Sequence, residues 1–294
     1  MSEHWLPRYQ PRKSSPTGCE STGRLEEHEL QEQRLREKAA AIGHKILVLS
    51  GKGGVGKSTV AANLAWGLAL RDYRTGLLDA DINGPSIPLM MGLTREAIGR
   101  SGAFAPVAVL DHLQAMSISF FLESPDTPTI WRGPLKGGAI RQFIADTEWG
   151  PLDYLVVDLP PGTGDEPLTV AQMFPEADGG ILVTTPQEAS LAVCRKAANF
   201  LRAVGLPILG VIENMSGFLC PHCGQRTDVF NTGGGETMAR EMGLPFLGSL
   251  PLVPEIVELS DAGRPLLGRQ SPARVREAFE MVVEAVLCAT QGNT

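Results

Sequence analysis

Long apolar segments are absent from this chain of 294 residues. No run approaches the roughly 20 consecutive apolar residues that a membrane-spanning helix needs, so we expect no membrane contact. The opening stretch also lacks the apolar segment of a secretory signal, and its glutamates argue against a mitochondrial presequence. These absences together predict a cytoplasmic protein.

Cysteines and basic residues are also scarce. Five cysteines in a large chain without an export signal favour reduced thiols or metal ligands over a disulfide framework. The 26 lysines and arginines are outnumbered by 33 acidic residues, and the net charge of −7 disfavours diffuse binding to nucleic acid. The chain does have a hydrophobic content of 43%, which is enough for the core of one large α/β domain.

A glycine-rich stretch dominates the chemistry of the sequence. Residues 46–49 predict a short buried strand, the pattern Gly51-x4-Gly56-Lys57-Ser58 follows, and residues 60–70 predict a helix. In this context the glycine backbone surrounds a phosphate, Lys57 can reach the β- and γ-phosphates, and the Ser58 hydroxyl can bind Mg²⁺. A glycine turn without a ligand is the alternative, which the agreement of every motif position disfavours. We call residues 51–58 the phosphate loop. The predicted nucleotide-binding residues are those of this loop and the residue that follows it: Gly51, Lys52, Gly53, Gly54, Val55, Gly56, Lys57, Ser58 and Thr59.

Acidic residues follow two further predicted strands. Asp79 and Asp81 end the strand at 75–80, where they can touch Mg²⁺ or the attacking water, although a helix-capping role is the alternative for an isolated pair. Asp158 ends the apolar strand at 154–158, which is the Walker B arrangement of a Mg²⁺ site. The turn at 160–164 is a candidate second switch near the γ-phosphate.

The order of elements predicts a single P-loop NTPase domain. Strands alternate with helices, which indicates a mostly parallel sheet covered by helices on both faces. We expect a flexible tail at 1–24, a leading helix at 25–43 and the ATPase domain at 44–290. Further strands are predicted at 107–110, 116–120, 180–184, 208–212 and 246–249, and further helices at 135–143, 188–204, 236–242 and 273–287.

A second chemical feature is the CxxC pair of Cys220 and Cys223. Two thiols at this spacing can bind one metal ion or one edge of a cluster, while a structural zinc site and a thioredoxin-like redox pair are the alternatives. Two thiolates are half of a tetrahedral zinc site or of the ligand set of a cubane cluster, and a twofold homodimer would supply the other half. Cys194 and Cys288 lie on apolar helical stretches, which predicts that both are packing residues.

At this point the chain resembles a known family. Lys52 just after the first glycine gives the deviant Walker A form of the group that includes MinD, ParA, the arsenical pump ATPase and the nitrogenase iron protein. Over residues 45 to about 268 the chain is similar to the Mrp/ApbC family of iron–sulfur cluster carrier ATPases. The motifs that carry this resemblance are DADINGPS, WRGP, WGPLDYLVVDLPPGTGDEPLTVAQ, VTTPQEASL, GVIENMSGFLCPHCG, TGGGE and PFLGSLPL.

The resemblance implies a role for each motif. Lys52 would cross a homodimer interface to the partner's phosphates, Asp81 would orient the water, and Asn214 would lie near the adenine. Cys220 and Cys223 would bridge a four-iron four-sulfur cluster with their dimer mates, for delivery to apo iron–sulfur proteins. The catalytic residues would be Lys52, Lys57 and Asp81 of a slow ATPase, with Mg²⁺ held by Ser58, Asp79 and Asp158. The absence of an NKxD signature favours ATP over GTP. A MinD/ParA-like positioning ATPase and a regulatory ATPase dimer bridged by Zn²⁺ are the alternatives.

Overall fold

The phosphate loop and the acidic motif residues lie at the ends of strands of one eight-stranded sheet. The computed structural model describes residues 38–82, 84–93, 104–121 and 133–292. The strands are β1 (Ile42–Leu49), β2 (Thr75–Asp79), β3 (Val107–Leu110), β4 (Leu113–Ser117), β5 (Leu152–Asp158), β6 (Gly179–Thr184), β7 (Ile208–Glu213), β8 (Phe218–Leu219), β9 (Arg226–Thr227) and β10 (Phe246–Ser249).

The strand order is β10-β7-β6-β1-β5-β2-β4-β3, with β8 and β9 forming a separate hairpin. Every neighbouring pair of the large sheet is parallel except β3 and β4, which are antiparallel. The mostly parallel sheet of a P-loop NTPase is therefore confirmed. Because β1 lies between β5 and β6, the phosphate loop emerges at the centre of the sheet, where ligands of such folds bind.

Helices cover both faces of this sheet. They are α1 (Lys57–Ala69), α2 (Ile87–Met90), α3 (Gly133–Asp146), α4 (Asp165–Met173), α5 (Glu188–Ala203), α6 (Gly234–Met242), α7 (Pro254–Asp261) and α8 (Ala273–Gln291), with a 3-10 turn at Ile118–Phe121.

The alternation of side chains along each strand divides the core into two clusters. In β1, Ile46 and Val48 pack with α1, α7 and α8, whereas Leu47 and Leu49 pack with α3, α4, α5 and α6. Because both faces of the strand are buried, successive residues must all be apolar. This explains the continuous hydrophobic runs that predicted the central strands.

Some predicted elements differ from the observed ones. The strand predicted at 116–120 is wrong, because β4 covers Leu113–Ser117 and the chain then turns into the 3-10 turn. Helices α2, α4 and α7 and the β8–β9 hairpin were not predicted. β1 begins at Ile42, two residues before the predicted start of the domain at 44. The predicted tail at 1–24, most of the leading helix at 25–43 and Cys19 lie outside the described residues.

Among the residues that the structure describes, no helix is both long enough and apolar enough to cross a membrane.

Candidate functional site

The phosphate loop is closely packed against its surroundings. Gly54 and Gly56 have φ values of 78° and 80°, the left-handed region that glycine adopts without strain. A Cβ on Gly56 would lie 2.1 Å from Asn214 Nδ2, and a Cβ on Gly51 would lie 2.3 Å from the carbonyl oxygen of Val193 on α5. Glycine is therefore required at 51 and 56 by close approach, and at 54 by its conformation.

A buried ion pair joins the phosphate loop to the end of β5. Lys57 Nζ donates to Asp158 Oδ1 at 2.6 Å and to the Ser58 hydroxyl at 3.3 Å. The Lys57 and Asp158 side chains are only 6% and 1% exposed, so water does not screen the pair. Burial raises the pKa of Asp158, and the neighbouring Lys57 ammonium opposes that rise.

Asp158 also has an unused oxygen, because its buried Oδ2 has no hydrogen-bond partner. A buried carboxylate oxygen of this kind normally finds a donor or a cation. Mg²⁺ prefers hard oxygen ligands, and the Ser58 hydroxyl lies beside the same lysine. The residues therefore fit a Mg²⁺ ion that accompanies a nucleotide.

Asp79 is a fully buried carboxyl beside this pair. It is the register partner of Asp158 on β5 and of Ser117 on β4. Its Oδ1 accepts the backbone N–H of Asp81 at 3.2 Å, and its Oδ2 accepts the Ser117 hydroxyl at 3.0 Å. Burial, followed by the nearby Asp158 charge, raises the pKa of Asp79 to about 8. Asp79 thus fixes the backbone at Asp81.

Ser117 was missed by sequence reasoning. Its hydroxyl also lies 2.9 Å from the Ser119 hydroxyl, so two serines extend the hydrogen-bonded chain from Asp79. A serine at the end of a strand carries no motif of its own. Only the pairing of β4 with β2 reveals its position beside the acidic residues.

Asp81 after β2 and the candidate switch at 160–164 after β5 lie at the same end of the sheet. The buried Asp81 accepts the backbone N–H of Gly84 at 3.2 Å. The 160–164 turn is tied to the phosphate loop, because Gly162 N–H donates to the Ser50 carbonyl at 2.8 Å. The Ser50 hydroxyl in turn donates to the Lys52 carbonyl at 2.9 Å, and Lys52 itself is half-buried.

Asn214 contacts the phosphate loop directly from the end of β7. Its Nδ2 donates to the Val55 carbonyl at 2.9 Å, its Oδ1 accepts the Met215 N–H at 2.9 Å, and its own N–H donates to the Thr184 carbonyl at 2.8 Å.

The residue before Asn214, Glu213, was missed by sequence reasoning. Both of its carboxylate oxygens accept backbone N–H groups at the start of α6, which holds that helix against the sheet.

The CxxC pair lies on the hairpin of β8 and β9, and we call residues 218–227 the cysteine hairpin. The Cys220 N–H donates to the Gln225 carbonyl at 3.0 Å, and the Gly224 N–H donates to the Cys220 carbonyl at 2.9 Å. Backbone N–H groups of Cys223 and His222 lower the pKa of the Cys220 thiol, because they stabilise the thiolate. Cys223 is exposed and Cys220 is half-buried.

The cysteine hairpin does not by itself complete a metal site. Among the described residues, no group of three or more His, Cys, Asp or Glu side chains is arranged to hold a metal ion. Of the remaining cysteines, Cys194 is buried as predicted, and burial raises the pKa of its thiol to about 11. The prediction for Cys288 is wrong, because that residue is exposed on α8.

Known proteins share this fold and sequence pattern. A protein from Archaeoglobus fulgidus, described as a nucleotide-binding protein in complex with ADP, has a TM-score of 0.70 and 41% identity, over 79% of this chain and 91% of its own. The cell division ATPase MinD of Pyrococcus furiosus has a TM-score of 0.62 over 83% of this chain and 98% of its own, and at 22% identity it shows the fold alone.

The phosphate loop, the acidic strand ends and the MinD-like sheet define the class as a P-loop NTPase of the deviant Walker A type. The model of the ParA group described as NUBPL iron-transfer P-loop NTPase matches residues 41–287. An iron–sulfur cluster carrier protein of Methanocaldococcus jannaschii is 47% identical over 265 residues, which cover 90% of each chain. This chain belongs to the NUBPL iron-transfer P-loop NTPase family, and the family resemblance is confirmed.

Proposed function

We propose that this protein carries a four-iron four-sulfur cluster between the cysteine hairpins of two copies, binds and hydrolyses ATP, and delivers the cluster to apo iron–sulfur proteins. The observation that supports this most is the pair of thiols of Cys220 and Cys223 on one hairpin tip. Cys223 is exposed, Cys220 is half-buried with a lowered pKa, and the described residues supply no third ligand. A cubane cluster needs four cysteine ligands, and a twofold axis beside the hairpin would supply them.

The relatives support both parts of the proposal. The M. jannaschii relative is an iron–sulfur cluster carrier protein, and the A. fulgidus relative binds ADP. A cluster shared between two largely exposed hairpin tips is suited to transfer, because an incoming thiolate can reach the iron without unfolding of the carrier.

The nucleotide half of the mechanism follows from the phosphate loop. Backbone N–H groups of the loop and the Lys57 ammonium bind the phosphates once Lys57 turns from Asp158 to the ligand. Ser58, Asp79 and Asp158 would hold Mg²⁺, which neutralises phosphate charge when it is bound. Asp81 orients the attacking water, since its backbone is held by Asp79.

Lys52 acts on the phosphates of the partner copy in this proposal. A cation that arrives from a second subunit stabilises the charge of the phosphoryl transition state, as an arginine finger does. Hydrolysis then depends on dimerisation, and dimerisation is also what assembles the four cysteines. Asn214 completes the nucleotide site next to the loop.

The two alternatives are weighed by specific observations. A membrane-positioning ATPase of the MinD type would need an exposed amphipathic helix, whereas the apolar face of α8 is packed into the core at Val275, Phe279 and Val283. A zinc-bridged regulatory dimer would use the same four thiolates, so metal content must separate it from the carrier.

The test is anaerobic reconstitution of the full chain with iron and sulfide, followed by metal analysis, visible spectroscopy and measurement of mass in solution. We expect a brown dimer with about two irons per chain, as one shared four-iron cluster requires. Transfer to an apo-enzyme, followed by recovery of its activity, tests delivery with and without ATP. Stoichiometric zinc without iron uptake, or a monomer that holds a full cluster, would overturn the proposal.

A further inference from the structure

One side chain contacts the phosphate loop and begins the segment that leads to the cysteines. Asn214 is 7% exposed, and its Nδ2 donates to the Val55 carbonyl in the middle of the loop. The contact is tight, because the same Nδ2 fills the space where a Cβ of Gly56 would lie. A change in the path of the loop backbone must therefore move the Asn214 amide or break its hydrogen bond.

The other end of the Asn214 side chain is fixed to the backbone that follows. Its Oδ1 accepts the Met215 N–H at 2.9 Å. Met215 is a non-glycine residue with a φ of 57°, which is a strained conformation that surrounding contacts must hold in place. The amide of Asn214 is thus a strut between the phosphate loop and a strained backbone residue.

Only residues 215–219 separate this strut from Cys220. The segment is held by hydrogen bonds along its length rather than being loose. Ser216 N–H donates to the Leu250 carbonyl at 2.9 Å, and Leu219 N–H donates to the Leu252 carbonyl at 3.1 Å. A displacement at Met215 is therefore passed to the base of the cysteine hairpin instead of being absorbed by free chain.

We propose that Asn214 is a positioning residue through which the nucleotide state of the phosphate loop sets the accessibility of Cys220. This inference rests on the proposed function for its biological meaning, because it assigns the route by which ATP regulates the hold on the cluster. Coupling of two sites is reciprocal, so a loaded cluster changes the affinity for ATP by the same factor as ATP changes the affinity for the cluster.

One substitution removes the contact of Asn214 with the phosphate loop without changing the size of the side chain. Asn214→Asp keeps the Oδ1 that accepts the Met215 N–H, but it replaces the donor to Val55 by a second oxygen that repels the carbonyl. Met215→Gly instead leaves the strut in place and relaxes the strained residue beyond it. Asn199→Ala, at an exposed position of α5, is the matched control.

The first experiment needs no cluster. The rate of Cys220 alkylation is measured by mass spectrometry in the protein without iron, with and without saturating ATP and Mg²⁺. The saturating concentration is determined separately for each variant. We expect ATP to change the rate by about fivefold or more in the unsubstituted chain and in Asn199→Ala. In Asn214→Asp and in Met215→Gly the ratio of the alkylation rates with and without ATP should fall to near one. Unchanged ratios in both variants, or no effect of ATP in the unsubstituted chain, would overturn the inference.

The second experiment repeats the comparison on the reconstituted protein, with the rate of iron removal by a chelator as the readout. The same loss of ATP dependence is expected in both variants, while iron content before the chelator is added stays that of the unsubstituted chain. Failure to load iron would refute the carrier function and leave the alkylation result standing. If the cluster loads but ATP does not change the rate of iron removal in the unsubstituted chain, only the positioning role of Asn214 is refuted.

Discussion

The Lys57 ammonium lies 2.6 Å from Asp158 Oδ1 inside the protein, while Asp158 Oδ2 has no partner. The lysine that would bind phosphate is therefore paired with a buried acid. A buried pair of this kind stabilises the fold little by itself, but breaking it leaves a buried charge uncompensated.

Removal of either partner should therefore destabilise the nucleotide-free protein. We expect Lys57→Met and Asp158→Asn each to lower the free energy of unfolding by about 3 kcal/mol or more, and the double variant to lose less than the sum by at least about 1 kcal/mol. Urea denaturation without Mg²⁺ or ATP measures all four proteins. The exposed pair of Arg71 and Glu284 is the control, with an expected coupling below about 1 kcal/mol. Additive effects at Lys57 and Asp158 would contradict the prediction.

The raised pKa of Asp79 predicts a pH dependence of stability. The folded carboxyl keeps its proton from its ordinary value of 3.8 up to about 8, whereas the unfolded one loses it near 3.8. The unfolded state binds fewer protons in this window, so the free energy of unfolding falls as pH rises through it. Asp79→Asn, which cannot ionise, should show a smaller fall when both proteins are unfolded in urea at about pH 5, 6, 7 and 8. Parallel curves for the two proteins would refute the assignment.

A role for Lys52 across the dimer predicts complementation between two inactive variants. Lys52→Ala and Lys57→Ala should each reduce the ATPase rate, and a trans cation is worth a factor on the order of 10³ or more in kcat. Mixed dimers restore one complete site, so an equal mixture should recover about a quarter of the normal rate. Lys196→Ala, an exposed lysine on α5, is the control. No recovery on mixing would place Lys52 in its own subunit's site or outside catalysis.

Substitution of either cysteine in the cysteine hairpin should cause a selective loss of the cluster. Cys220→Ala or Cys223→Ala should abolish retention of the cluster after anaerobic reconstitution, while binding of ATP is maintained because the phosphate loop uses other residues. Cys288→Ala removes an exposed thiol far along the chain on α8 and should keep the normal iron content. Iron retention in either hairpin variant would mean that other residues are the ligands.

The Cys220 thiol should also lose its proton at a lower pH than an ordinary cysteine. Backbone N–H groups lower its pKa, so the pH midpoint of its alkylation should lie below that of a free cysteine. Mass spectrometry of iodoacetamide-treated apo protein over a pH series measures the midpoint, and Cys288 in the same sample shows that the reagent is active. A midpoint at or above that of a free cysteine would contradict the hydrogen bonding at the hairpin tip.

The central strands could be predicted because parallel strands buried on both faces need continuous apolar residues, as in β1 and β5. β4 could not, since Gln114 interrupts its apolar run and the apolar residues continue into the 3-10 turn at Ile118–Phe121. Cys288 was misjudged because it follows apolar residues in sequence. It lies two positions after the buried Val286, which turns it about 200° around the helix and away from the core.

The motif residues of the site could be predicted, but their partners could not. Lys57 and Asp158 each belong to a motif, whereas the contact of Asn214 with Val55 spans 159 residues of sequence and exists only because β6 brings β7 close to β1. Ser117 likewise reaches Asp79 only through strand pairing. A sequence motif specifies the chemistry of one loop, while strand order decides which loops meet.

Residues 221–229, which include the tip of the cysteine hairpin, are all exposed and add nothing to either core cluster. Release of a cluster from this tip, as the proposed function requires, would thus remove no packing from either core cluster. In the proposed carrier, one copy would therefore keep its folded core through repeated rounds of loading and release.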